Sequence, residues 1–237
     1  MRQVSRRRVL GGVAAALLLG LGGGCSSSHS HKKVETAKVE DSWMARVPPD
    51  QMDDVRQAQL VVSTAEEQQE RANVSVEDGK RDLQVAQGRE QAAEARQQAS
   101  VDALSAAQET GQADAIDLAQ NDLAQANTEL AAAKAETALN EKTVTTRESV
   151  VQVRERERDV ANAELAQTRF LTLQRTGDVR AQQVDGDELA RNLEEARAKA
   201  RDAGDQVDAN ITEQEQAQST WEQLDAQTQA YGGSGEP

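Results

Sequence analysis

The 237-residue sequence is poor in the residues that build compact cores. It contains one cysteine, one phenylalanine, one tyrosine, two tryptophans and three prolines. A single cysteine excludes an internal disulfide, and so few aromatic side chains leave little with which to fill a globular core. The two histidines, His29 and His31, lie in a Ser/Lys-rich stretch without a third ligand, so we expect them to be solvated rather than to bind a metal.

Sequence motifs of catalysis and of cofactor binding are missing as well. There is no glycine-rich phosphate loop, no HExxH, no pair of cysteines and no Ser/His/Asp set. We therefore expect no enzyme activity, no cofactor and no metal. The formal net charge of −14 argues against nucleic acid as a partner, because nucleic-acid binding relies on basic side chains that neutralise phosphates.

The abundant residues are alanine, glutamine, glutamate and arginine, and they follow a heptad pattern. Two rows repeat every seven positions, one mostly large and apolar and the other always small in the first stretch. In the first stretch the two rows start at Val55 and Ala58. After a break in the pattern they resume at Ile116 and Ala119. Low hydrophobicity with high net charge is also typical of disorder, but sustained heptads favour long helices.

The break between the two stretches predicts a tight helical turn at Thr110, Gly111 and Gln112. If the second stretch folds back at this turn, large residues meet small ones, with Gly79 level with Val144 for example. Small residues in such a seam allow close approach of the helices. The sequence therefore predicts an antiparallel coiled-coil hairpin whose tip is formed by these three residues.

The middle of the second stretch carries polar residues at seam positions, namely Asn140, Arg147, Arg154 and Arg158. We expect this part of the hairpin to be its weakest. The long side chains either extend past small partners to reach water and nearby glutamates, or they fix the register or receive an acidic partner.

The predicted fold is all-α: a long antiparallel coiled-coil hairpin with a third, shorter helix on its base. Pro48-Pro49-Asp50 is a typical helix start, and Asp185-Gly186-Asp187 prepares the start of the third helix. The predicted segments are residues 1–24, 25–47, 48–175, 187–229 and 230–237, which correspond to a signal peptide, a flexible tether, the hairpin, the third helix and a disordered tail.

Residues 1–24 combine a basic start with an apolar run of about 13 residues, which is the layout of a signal peptide and is too short to span a bilayer comfortably. Arg6 and Arg7 lie in a segment that resembles the bacterial twin-arginine export motif, although paired arginines also occur in Sec signals. The following Cys25 resembles the acylated cysteine of bacterial lipoproteins, with Gly22 where that family usually has leucine. The resemblance implies palmitate on Cys25; cleavage elsewhere or an uncleaved anchor are the alternatives.

The hairpin is similar in pattern to the coiled-coil hairpins of periplasmic membrane-fusion adaptors. The Arg…Leu…Ser tip pattern of that family is absent from residues 108–113, and no strand-rich stretch could build its flanking domains. We therefore expect a lipid-anchored spacer or protein-binding scaffold in the bacterial cell envelope, on the periplasmic face of the outer membrane. The alternative is an adaptor-like component of an efflux or secretion assembly that contacts its partner through the tip.

The expected partners are the membrane, through a lipid on Cys25, and an unidentified envelope protein. Trp43 and Met44 either dock on the helices or touch the membrane surface. Exposed heptads leave self-association open.

Overall fold

The structure is a computed structural model that describes the backbone of residues 39–232 and the side chains of residues 39–230. Within this range it is all-α and has no strand, which confirms the predicted hairpin with a third helix packed on it. The α-helices are α1 (Asp41–Met44), α2 (Asp53–Thr110), α3 (Ala113–Arg175) and α4 (Gly186–Gly232), and 3-10 turns span Pro49–Gln51 and Val179–Gln183.

The helices α2 and α3 pack against each other along their length through the small-residue row. A Cβ atom placed on Gly79 would lie 3.4 Å from Val144 Cγ2, so these two residues are level, as the sequence predicts. Small side chains let the two helix axes approach, which is why the buried row in α2 consists mainly of alanine and glycine. Its members are Ala65, Ala72, Gly79, Ala86 and Ala93.

Ion pairs cross between α2 and α3 on both sides of this seam. Arg89 pairs with Glu136, and Lys134 Nζ lies 3.4 Å from Glu94 Oε1. Exposed pairs of this kind contribute roughly 0.2–1 kcal/mol each. Their main effect is to favour this antiparallel register over shifted ones, because a shift would separate the opposite charges.

The helix α4 runs antiparallel to α3 and packs on a different face of it. Thr146 Oγ1 donates to Asn210 O at 3.3 Å, and Lys142 Nζ lies 2.7 Å from Glu213 Oε2. The heptad spacing, with a turn back through residues 176–186, predicts Asn210 beside Val151, about one helical turn away from where it lies. Val151 belongs to the row that faces α2, so α4 takes the neighbouring face that carries Thr146.

A compact apolar core closes the base of the hairpin, at the end opposite the 110–112 turn. Val55 and Leu173 are fully buried there, and complete burial of such a side chain stabilises a fold by about 1.5–3 kcal/mol. The other buried members come from α3, from the loop that follows it and from the segment before α2; they are Met44, Val47, Leu165, Phe170, Ala181 and Val184.

The prediction that residues 25–47 form a flexible tether is wrong for residues 39–47. Met44 and Val47 are buried in the base core, and Trp43 packs against it. Apolar side chains spaced along this short segment gain more from burial than the segment loses in conformational freedom. Residues 25–38 lie outside the described residues.

Two predicted helix ends also differ from the structure. The α-helix after Pro48 begins at Asp53 rather than at Asp50, because Pro49–Gln51 form a 3-10 turn. The third helix continues to Gly232, three residues beyond its predicted end, and residues 233–237 lie outside the described range.

Candidate functional site

The hairpin tip is a single tight turn held by backbone and hydroxyl groups. Gly111 has φ 69° and ends α2 in the left-handed conformation that glycine adopts most readily. Its N–H donates to Gln108 O at 3.2 Å. Thr110 Oγ1 donates to Ala107 O at 2.7 Å and accepts from the N–H of Gln112 at 3.4 Å. The predicted tip residues therefore lie together in the turn.

The end of the hairpin beyond α4 is strongly acidic. Thr228 and Gln229, near the end of α4, line the same groove as Gln125 of α3, so α4 ends at about this level. The two-helix segment beyond it, residues 99–124, carries five acidic side chains and no lysine or arginine. Leu118 in this segment is 63% exposed. Val101 in the same segment is 37% exposed, so the tip combines negative charge with two exposed apolar side chains.

The base holds a group of connected polar contacts around Arg180. Arg180 pairs with Asp178, donates from Nη2 to Trp43 O at 3.2 Å, and lies over the Trp43 ring with its guanidinium carbon 5.6 Å from the centroid. The hydrogen bonds that Asp178 accepts from Arg180 lower the pKa of this carboxyl to about 2. The hydrogen bond to Asp178 in turn raises the pKa of Arg180.

A second contact holds the segment before α2 against α3. Arg169, whose side chain is 16% exposed, pairs with Asp41 of α1. Together with the Arg180–Trp43 contact, this pair fixes residues 39–47 across the base. The described part of the chain therefore begins, at residue 39, at the end of the hairpin opposite the tip.

The polar seam positions in the middle of the hairpin have partners. Arg147 crosses α2 at Gly79, and its Nη1 donates to Ser75 O at 2.8 Å. Arg158 Nη1 donates to Gln69 Oε1 at 2.9 Å. These arginines pass small or polar residues of α2, as the first of the two interpretations predicts, but the acceptors that they reach are a backbone carbonyl and a glutamine amide rather than glutamates.

The described residues contain no group of three or more acidic, histidine or cysteine side chains that could hold a metal ion. Residues 39–232 also contain no helix long and apolar enough to cross a membrane. A groove of about 590 Å³ lies between α2 and α3 and is lined partly by Val74, Val76 and Val151. It is an open groove rather than an enclosed pocket.

The predicted site residues Arg6, Arg7 and Cys25, and the histidines His29 and His31 that we expect to be solvated, lie outside the described residues, so what the sequence indicates about them stays a prediction. Conversely, sequence reasoning missed Arg180 and Asp178. The available signal was weak: a charged pair two residues apart after Gly177, with nothing to indicate that Trp43 lies beside it. Comparisons with protein-family models, with curated proteins and with solved structures found no match for this chain.

Proposed function

We propose that this chain is a lipid-anchored helical rod that acts as a spacer or protein-binding scaffold in the bacterial cell envelope. The observation that carries the proposal is that the two ends of the hairpin differ, with the start of the described chain at the base and the turn at the other end. Residues 39–47 are fixed to the base by the Arg180–Trp43 and Arg169–Asp41 contacts, and the turn at Gly111 lies at the other end. A lipid on Cys25 would therefore hold the base near a membrane surface and leave the tip free.

The dimensions of the helices support the role of a spacer. Each helix of the hairpin has about 60 residues, which corresponds to roughly 90 Å at 1.5 Å per residue. Open grooves along thin helices do not exclude water as most catalytic reactions require. The long exposed surface suits contact with other proteins.

Incorporation of labelled palmitate tests the anchor. Cells that produce the natural chain should label it and retain it in the membrane fraction, whereas Cys25→Ala should abolish both. Equal labelling of the two chains contradicts the proposal. Separation of inner and outer membranes then tests our assignment to the periplasmic face of the outer membrane.

The alternative function is an adaptor-like contact through the tip. The specific observation in its favour is that residues 99–124 project beyond α4 with five acidic side chains, no basic one and an exposed Leu118. This surface suits a basic partner with a small apolar site.

Shortening the tip separates the two functions. Residues 102–108 and 113–119 are deleted on either side of the chain's own Glu-Thr-Gly-Gln turn, which removes seven residues from each of α2 and α3 and keeps the remaining seam in register. A spacer keeps its crosslinked partners after this change, while a tip adaptor loses them. Leu118→Asp in the full-length hairpin is the companion variant, because it changes the tip surface without changing the length.

A further inference from the structure

We propose that the groove between α2 and α3 near Val74 binds a basic amphipathic helix of another protein. The groove has a volume of about 590 Å³, and its apolar part is formed by Val74, Val76 and Val151. Val76 is buried at 6% exposure, whereas Val74 is 53% exposed. An apolar strip that runs from the buried seam to the surface is the kind of feature that the apolar face of a helix covers.

The groove exists because of the way Arg147 leaves the seam. Its side chain crosses Gly79 and donates to Ser75 O. In the heptad pattern Ser75 lies on one flank of the seam, and the groove residues Asn73 and Glu77 lie on the other. The Arg147 side chain therefore does not fill the space above Val76.

Charge at the rim selects the partner. The rim carries Glu70, Glu77, Glu148 and Glu155 against two cations. Both cations are neutralised within α2, since Lys80 pairs with Glu77 and Arg81 with Asp78.

Of the four rim glutamates, Glu77 pairs with Lys80 and Glu155 accepts a hydrogen bond from Gln69 Nε2 at 3.3 Å, which leaves two for an incoming partner. Glu70 and Glu148 form no ion pair with any other residue that the structure describes. A helix with lysine or arginine beside its apolar face would neutralise them, and these opposite charges would also steer its approach.

The three long helices of a second copy do not match the charge of the groove. Each of the three long helices, α2, α3 and α4, carries more acidic than basic side chains. If one of these helices packed against the acidic rim, negative charges would face each other, which opposes association. The occupant is therefore a helix of opposite charge, and this surface is distinct from both the membrane anchor and the tip of the proposed function.

The test uses the full chain reconstituted in phosphatidylcholine vesicles. The probe is a fluorescein-labelled 18-residue peptide with leucines at spacings of i, i+4, i+7 and i+11 and lysine or alanine elsewhere. Its counterpart has glutamate in place of lysine. Binding is measured by fluorescence anisotropy, and the signal from protein-free vesicles is subtracted.

We expect saturable binding of the lysine peptide and none of the glutamate peptide. Val74→Lys and Glu148→Lys should each weaken binding about tenfold, since each removes one apolar or charged contact. Both side chains are exposed, so these variants keep the fold. The matched controls are Ile211→Lys and Glu215→Lys on α4, which should bind as the natural chain does.

Three results would overturn the proposal. They are the absence of saturable binding by the lysine peptide, equal binding of both peptides, and an equal loss in the groove variants and the α4 controls. A fourth result, loss of binding on deletion of residues 102–108 and 113–119 with the groove variants unaffected, would move the site to the tip and would also refute the proposal. The readout does not require a lipid on Cys25, so failure here and failure of the anchor are distinguishable.

Discussion

Replacement of glycine by alanine should stabilise the fold at two helical positions and destabilise it at a third. Gly88 in α2 and Gly204 in α4 have open space where a Cβ would lie, with no neighbouring atom within 4 Å. A Cβ on Gly186 would lie 2.5 Å from Phe170 Cε1 and 2.8 Å from Phe170 Cζ. The ring belongs to the base core and is 8% exposed, so it cannot move away freely.

The magnitudes follow from these distances. Alanine is favoured over glycine in a helix interior by about 0.8–1 kcal/mol, so Gly88→Ala and Gly204→Ala should each stabilise the fold by that amount. The two sites lie on helices that do not pack against each other, so the double variant should gain about 2 kcal/mol. Gly186→Ala forces the aromatic ring to shift, and overpacking of this kind costs about 1–3 kcal/mol.

Thermal unfolding followed by circular dichroism at 222 nm on chains without residues 1–25 measures all three effects. For a chain of this length 1 kcal/mol shifts the Tm by about 2–4 °C. The double variant should therefore melt about 4–8 °C higher, and Gly186→Ala should melt lower than the natural chain. A rise in Tm for Gly186→Ala would refute the placement of the start of α4 against Phe170. A fall for Gly88→Ala would refute a continuous, exposed α2 at that point.

Leu173→Ala should lower the free energy of unfolding by about 2–5 kcal/mol in urea titrations, because Leu173 is fully buried in the base core. The control Leu118→Ala, at the exposed tip, should change it by less than about 0.5 kcal/mol. Equal effects of the two variants would contradict the assigned core. Arg180 holds the pKa of Asp178 at about 2, below its usual 3.8, so the stability that Asp178 contributes is complete above about pH 4 and is lost as the pH falls through 2. The difference in Tm between the natural chain and Asp178→Asn should therefore shrink from pH 5 to pH 2, and a constant difference would be evidence against this pair. A double-mutant cycle on Arg89 and Glu136, with alanine at each, should give a coupling of about 0.2–1 kcal/mol that falls with added salt; zero coupling at low salt would show that the pair does not form.

The hairpin could be predicted from the sequence because its determinants are local and periodic. The small row from Ala58 onwards and the turn at Gly111 set the phase of both helices. Once Gly79 is level with Val144, equal periods align all the other layers. The position of α4 could be predicted only coarsely, because its register depends on the loop around Val179–Gln183 and not on a shared repeat.

The base core and the groove could not be predicted in this way. Met44 and Leu173 are more than a hundred residues apart and belong to no common repeat, and the segment around Met44 has no period that would indicate burial. The groove depends on which flank of the seam Arg147 takes. That choice is made by a long side chain among several possible acceptors, so the identity of the residue alone does not reveal it.

The central claim is that the base lies at a membrane through a lipid on Cys25 and that the tip lies far from it. Energy transfer from a fluorophore on the protein to acceptor lipids in vesicles tests this claim directly. The fluorophore is attached to Val179→Cys at the base, where the side chain is 73% exposed, or to Gln112→Cys in the exposed turn. Acylation of Cys25 leaves the introduced thiol as the reactive one. Strong transfer from residue 179 and weak transfer from residue 112 is the predicted result, and equal transfer from both positions would contradict it.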